Sequence, residues 1–171
     1  MSENGKIAQK WWYLLSNGKT GDRGVLARLR RGEKSADALT ILQAIKLSRD
    51  LGCDALELAI LLAHVKEDDA QRPMRAAGWK SFPGEKKETE AGADRPVLSE
   101  LRFRRLLKTP RDERLDAFKR LVRILGGKVN VAALTDDFLF WGDKVRERWA
   151  FDYFAAGIAQ PTNDLDKEAT A

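Results

Sequence analysis

The sequence predicts an all-α protein: two small helical bundles packed together and joined by an irregular loop. Three observations predict it. Apolar residues recur at spacings of three and four over most of the chain, capping and breaking residues bracket those stretches, and no period-two alternation competes with them.

The elements follow in order. A first short helix is expected over 7–17, with Trp11, Trp12, Leu14 and Leu15 as its apolar face and Asn17-Gly18 as its end. A second covers 22–31, with Asp22 as N-cap and Gly32 as terminator. Ser35 caps a third that runs to about Leu51, with Leu39, Ile41, Leu42 and Ile45 as its buried stripe. Gly52 breaks it, and the strongly apolar stretch from Asp54 to Lys66 reads as a buried helix. From Glu67 to Arg95 the periodicity collapses among Pro73, Gly78, Pro83, Gly84 and Gly92, which marks a linker or mobile loop with a short helical turn near Met74.

Order returns after Pro96. Ser99 caps SELRFRRLLKT, and Thr109-Pro110-Arg111-Asp112 combines a cap, a proline suited to the first helical position and an acid, opening a helix that ends at Gly126-Gly127. Asn130 caps the last stretch, where Leu134, Phe138, Trp141, Val145 and Trp149 keep one stripe, so a single long or slightly kinked helix is expected from Val131 to about Ile158. The domain organisation is therefore an N-terminal helical half (1–66), a linker (67–96), a C-terminal helical half (97–160) and a disordered tail (161–171).

Composition bounds the function. Hydrophobic residues make up 43% of the 171, enough for a real core, and charged residues make up 33%, enough to solvate helices around it. The net charge of +5 permits a polyanionic partner without requiring one. The single cysteine, Cys53, makes no internal disulfide and fits a reducing, cytoplasmic setting. No apolar run is long enough to cross a membrane, and residues 1–10 do not read as a secretory signal.

The charge is unevenly placed. Residues 19–34 carry +4 and residues 97–128 carry +6, more together than the whole chain's +5, so the remainder is net acidic. At 100° per residue, Phe103, Leu106 and Leu107 share one side of their helix and leave Arg102, Arg104, Arg105 and Lys108 on the other arc. On the next helix Lys119, Arg120 and Arg123 oppose the apolar stripe. With Arg30 and Arg31 from the N-terminal half, these faces make a candidate track for a phosphate backbone, because guanidinium forks match phosphate oxygens. The competing reading is a solvated face in which Asp116, three and four residues before Lys119 and Arg120, pairs locally with them.

Chemistry of other kinds has little to stand on. His64, the only histidine, sits in an apolar helix and reads as structural. Cys53 lacks a neighbouring base. Asp136 and Asp137 are adjacent on a helix and diverge by about 100°, so they do not clamp one metal. No phosphate-binding loop, dinucleotide motif or zinc spacing is present. No catalytic residue, metal site or cofactor is assigned. Trp11, Trp12, Trp141 and Trp149 lie on apolar stripes and are assigned to the core, while Trp79 stays unassigned.

The runs WWYLL, DRGVLARLRR and SELRFRRLLK, followed by KRLVRILGGKVNVAALTDDFLFWGDKVRERWAFDYF, resemble the CasB family, the small subunit of the type I-E CRISPR Cascade complex. The likeness spans most of residues 11–154 and is most specific in the last run. It implies a non-catalytic helical protein of two packed halves, present as a head-to-tail pair of copies in a complex built on CRISPR RNA. The other partners it implies are the large PAM-recognising subunit, the repeated backbone subunit and the subunits holding the RNA ends, with target DNA held in an R-loop. It implies backbone contacts at Arg31, Arg102, Lys108, Arg120 and Lys144. Asp143 stands directly after Trp141-Gly142, where some family members are basic. The helical surfaces alone also fit a freestanding nucleic-acid-binding regulator, or an architectural adaptor for acidic protein surfaces.

Overall fold

The computed structural model describes residues 1–19, 21–83 and 95–155. Among them are ten α-helices and one pair of two-residue strands, an all-α fold as the sequence predicts. The expected tail 161–171 lies outside the described residues, as does the stretch 84–94 of the expected loop.

Helix α1 (Glu3–Ser16) starts earlier than the apolar pattern suggests, because the Ser2 hydroxyl accepts a hydrogen bond from the Gly5 N–H at 2.9 Å. Gly5 has a steric reason: a Cβ there would sit 2.9 Å from the Cβ of Ala132 on the helix that α1 crosses. Trp11 and Trp12 are buried and each satisfies its indole N–H, on the Gln43 and Val65 carbonyls. Helix α2 (Arg23–Arg30) is capped by Asp22 as expected.

The expected helix 35–51 is broken in two, α3 (Ser35–Ala38) and α4 (Leu42–Leu51), with Ile41 extended between them. Its buried stripe also differs. Ala38, Ile41, Ala44 and Leu47 face the core, whereas Leu39, Leu42 and Ile45 are exposed, Leu42 by 63%. The two alanines let α4 pack closely, and a pattern weighted by large side chains selects the wrong neighbouring stripe. Nor does Ser35 cap this segment: Asp37 accepts from the Glu33 and Lys34 N–H groups instead. Helix α5 (Leu56–Leu62) is the centre of the core. Leu58, Ile60, Leu61 and Leu62 are fully buried, each contributing about 1.5–3 kcal/mol of apolar transfer.

The segment expected as a linker contains packed structure up to Trp79. Strand β1 (Glu67–Asp68) pairs in parallel with β2 (Lys128–Val129), and the Asp68 carboxylate accepts from the Val131 N–H and the Gln9 amide. Helix α6 (Pro73–Ala77) buries Met74 and Ala77 in the common core, and the Trp79 N–H donates to the Tyr153 carbonyl at 2.7 Å. Pro73 starts this helix rather than breaking one.

Helix α7 (Glu100–Leu107) is followed by a 3-10 turn (Arg111–Glu113) and α8 (Arg114–Ile124), so the cap-and-proline signal at 109–112 opens the turn, not the α-helix itself. The expected single helix from Val131 onward is two, α9 (Val131–Leu139) and α10 (Asp143–Tyr153). Gly142 is extended between them, and Trp141 turns inward to donate its indole N–H to the Thr109 carbonyl. The Phe118 ring then meets Phe138, Trp141 and Trp149 at centroid distances of 5.2–5.3 Å. Phe103 stacks on Tyr153 at 3.9 Å, which fixes the roll of α7.

Candidate nucleic-acid interface

Burial of Phe103 and Leu106 decides where the rest of α7 points: Arg102, Arg105 and Lys108 stay exposed. Burial of Leu115, Phe118, Leu121 and Val122 does the same for α8 and leaves Arg120 and Arg123 outside. The two outer faces meet along a groove of about 580 Å³, with Leu98, Leu106, Leu121 and Ile124 among its apolar walls and Arg102, Arg105, Lys108, Arg120 and Arg123 among its cations. Among the described residues Glu113 is the one acid lining it.

None of these five cations makes an ion pair among the described residues. The locally paired alternative fails on geometry: Asp116 bridges neither Lys119 nor Arg120. Lys119 instead donates through Nζ to the Gly32 carbonyl at 3.3 Å, which ties α8 to the end of α2. Arg30, at that end, donates through Nε to the Ala63 carbonyl at 2.6 Å. Burial, with the charges of Lys119, Arg30 and Arg123, holds the His64 imidazole below its ordinary pKa, so Arg30 stands within electrostatic reach of the same place as the α8 cations.

Three sequence-predicted residues lie off this wall, Arg30 among them, since it turns to the Ala63 carbonyl. Arg31 is exposed just past α2, and Lys144 is exposed in the first turn of α10; neither lines the groove. Lys144 is nevertheless two positions before Arg146, which donates to the Thr109 carbonyl at the groove's edge. Lys119 precedes Arg123 by four residues and belongs to the basic face that the sequence predicts on α8, whereas Lys66 is not among the predicted contact residues. Nothing periodic points to Lys66, which follows α5 and is placed by the turn at Gly127.

The remaining acids of interest are engaged internally. The Ser2 hydroxyl donates to Asp136. Asp137, 3% exposed, accepts from Arg148 and, at 2.7 Å, from the Trp149 indole. Burial pushes its carboxyl up to about 6, against the opposing pull of Arg148 and the indole N–H. Among the described residues no three His, Cys, Asp or Glu side chains gather as a metal site would require. Cys53 is a free, exposed thiol, and no described helix is long and apolar enough to cross a membrane.

Fold and surface together define an all-helical protein with a cationic groove whose five cations are not ion-paired among the described residues. Residues 25–154 match the family model described as CRISPR-associated protein Cse2. The CRISPR-associated protein Cse2 of Thermus thermophilus is 29% identical over 121 residues, covering 68% of this chain and 65% of that protein, so this chain spans just under two thirds of that relative's length. No solved structure matches the chain. The chain belongs to the Cse2 family, that of the CasB small subunit of type I-E Cascade.

Proposed function

We propose that this chain is a non-catalytic, cytoplasmic subunit of type I-E Cascade that stabilises the target-DNA R-loop by holding strand backbones. The observation that carries the reading is the α7–α8 groove, where five cations converge and none is ion-paired among the described residues. Arg102, Arg105, Lys108, Arg120 and Arg123 hold phosphates, with Arg30, Arg31 and Lys144 extending the contact at either side. Such contacts fix a backbone and carry no base readout. They suit a complex in which guide pairing reads the sequence, because exchanging a DNA duplex for a heteroduplex is nearly balanced and modest backbone contacts tip it.

The partners in this reading are the large PAM-recognising subunit, the repeated backbone subunit, a second copy of the chain, CRISPR RNA and target DNA. The exposed Leu39, Leu42 and Ile45 supply apolar surface for subunit contacts. A freestanding groove-reading regulator is disfavoured, because the helix after Gly126-Gly127 is α9, whose Val131, Leu134, Thr135, Asp137 and Phe138 are buried. An adaptor for acidic protein surfaces remains the alternative that salt dependence separates.

The test is a complex reconstituted with Arg102→Ala and Arg120→Ala together. Five phosphate contacts give a log–log salt slope of roughly −3.5 to −4.5, and the double variant should flatten it by about 1.4–1.8 while helicity stays unchanged. Unaltered target binding and slope would sink the reading.

A further inference from the structure

Arg123 has a second role in the surface. Beyond it from the groove lies a smaller niche of about 220 Å³ lined by His64, Lys66, Lys119 and Arg123 and closed by Gly126 and Gly127. The turn is tight. Gly127 has a φ of +84°, its carbonyl accepts from the Lys66 N–H at 2.8 Å, and a Cβ there would lie 2.9 Å from the Lys66 stem. The Lys119 ammonium donates to the Gly32 carbonyl, which leaves two of its three protons free for another acceptor. Neither it, Lys66 nor Arg123 is ion-paired among the described residues. The His64 Nε2 is buried and has no hydrogen-bond partner among the described residues.

We propose that this niche seats one backbone phosphate of the bound nucleic acid and that His64 takes up a proton from solvent as the phosphate enters. The proposal rests on the reading of the groove as a strand-holding surface, and Arg123 is what joins the two, since it lines both concavities. The charged groups facing the imidazole are Lys119 and Arg123 from α8, Arg30 from α2 and Lys66 beyond α5. They are all cationic, and burial with the charges of Lys119, Arg30 and Arg123 holds the imidazole below its ordinary pKa, toward the neutral form. An anion among them offsets that repulsion. It thereby favours the imidazolium, with no direct bond to the ring required. By linkage, nucleic-acid affinity rises as pH falls through the histidine range.

His64 is the only histidine, so its ring proton resonances are assigned without ambiguity. The experiment follows its NMR titration in the full chain in low-salt buffer, with sulfate, and with a single-stranded DNA oligonucleotide. DNA affinity is measured in parallel at pH 6 and pH 8. The expected result is a His64 pKa raised by the oligonucleotide, with wild-type affinity about three- to tenfold higher at pH 6. His64→Gln should bind equally at the two pH values, and Lys66→Ala, at an exposed side chain, should shrink the pKa rise. A rise with sulfate but none with the oligonucleotide means that the niche takes free oxyanions, and it overturns the proposal. A rise with neither also overturns it. In that case continued loss of DNA retention in the Arg102→Ala, Arg120→Ala protein keeps the groove and discards only the niche, whereas no loss discards both.

Discussion

Arg114 and Arg120 lie on one helix, six residues apart, and have opposite surroundings. The Arg114 side chain is 13% exposed, pairs with Glu57 at 3.5 Å and lies 4.5 Å over the Phe138 ring. Arg120 is exposed, lines the groove and pairs with nothing among the described residues. The same residue type thus cements α8 to α5 at one end of the helix and leaves a charge available at the other. Asp137 with Arg148 and Trp149 is the extreme of the first kind. The comparison teaches that the count of basic residues matters less than whether the fold has already given each one a partner.

The largest effect should come from the most enclosed charge. Asp137→Ala should cost about 3 kcal/mol in urea unfolding, because it leaves the Trp149 N–H and Arg148 without their acceptor. A loss under about 1 kcal/mol would mean that the network contributes little. The sign with pH is set by the carboxyl's rise to about 6. The folded state then binds its proton more tightly than the unfolded chain does, so this group's contribution is full below about pH 4 and is lost as pH rises through about 6. Asp137→Asn should remove that fall. The difference between wild type and variant should be flat from pH 4.5 to 7 only if the carboxyl titrates normally.

Arg114→Ala comes next. Losing the ring contact and leaving Glu57 unpaired should cost about 2 kcal/mol of stability. The loss is limited, because Nε and Nη1 of Arg114 are buried without partners already. Nucleic-acid retention by the folded fraction should not change. A fall in retention without a fall in stability would place Arg114 with the groove residues and break the contrast.

Much of this was legible in the sequence, for a physical reason. Periodicity and caps report local preferences: Asp22 and Asn130 cap α2 and α9 as expected, while Ser99 stands at the start of α7 without a capping hydrogen bond, so periodicity alone located that helix. The α7–α8 cations were legible too, since burying Phe103, Leu106 and Leu121 leaves only one direction for their neighbours. What failed depended on distant partners. The break at Gly142 exists because Trp141 turns toward Thr109, and α6 is held by Tyr153 and Leu98 from beyond the loop. The exposure of Leu39 and Leu42 follows from alanines packing closely. The His64 niche needs α2, α5 and α8 together, so no single stretch of sequence carries it.

The finest discrimination is between the adjacent Arg104 and Arg105. Arg104 reaches Glu100 one turn back at 3.7 Å, whereas Arg105 lines the groove. An exposed i,i+4 pair of this kind contributes about 0.3–0.5 kcal/mol, so Arg104→Ala should lower stability by no more than that and leave the salt slope of target binding untouched. Arg105→Ala should do the reverse: stability unchanged within about 0.5 kcal/mol, and the slope flattened by roughly 0.7–0.9, the loss of one phosphate contact. The two substitutions remove the same charge from adjacent positions of one helix, so net charge cannot explain a difference between them. Equal effects on the slope would show that the strand feels only the overall field of α7, and that the groove's geometry selects nothing.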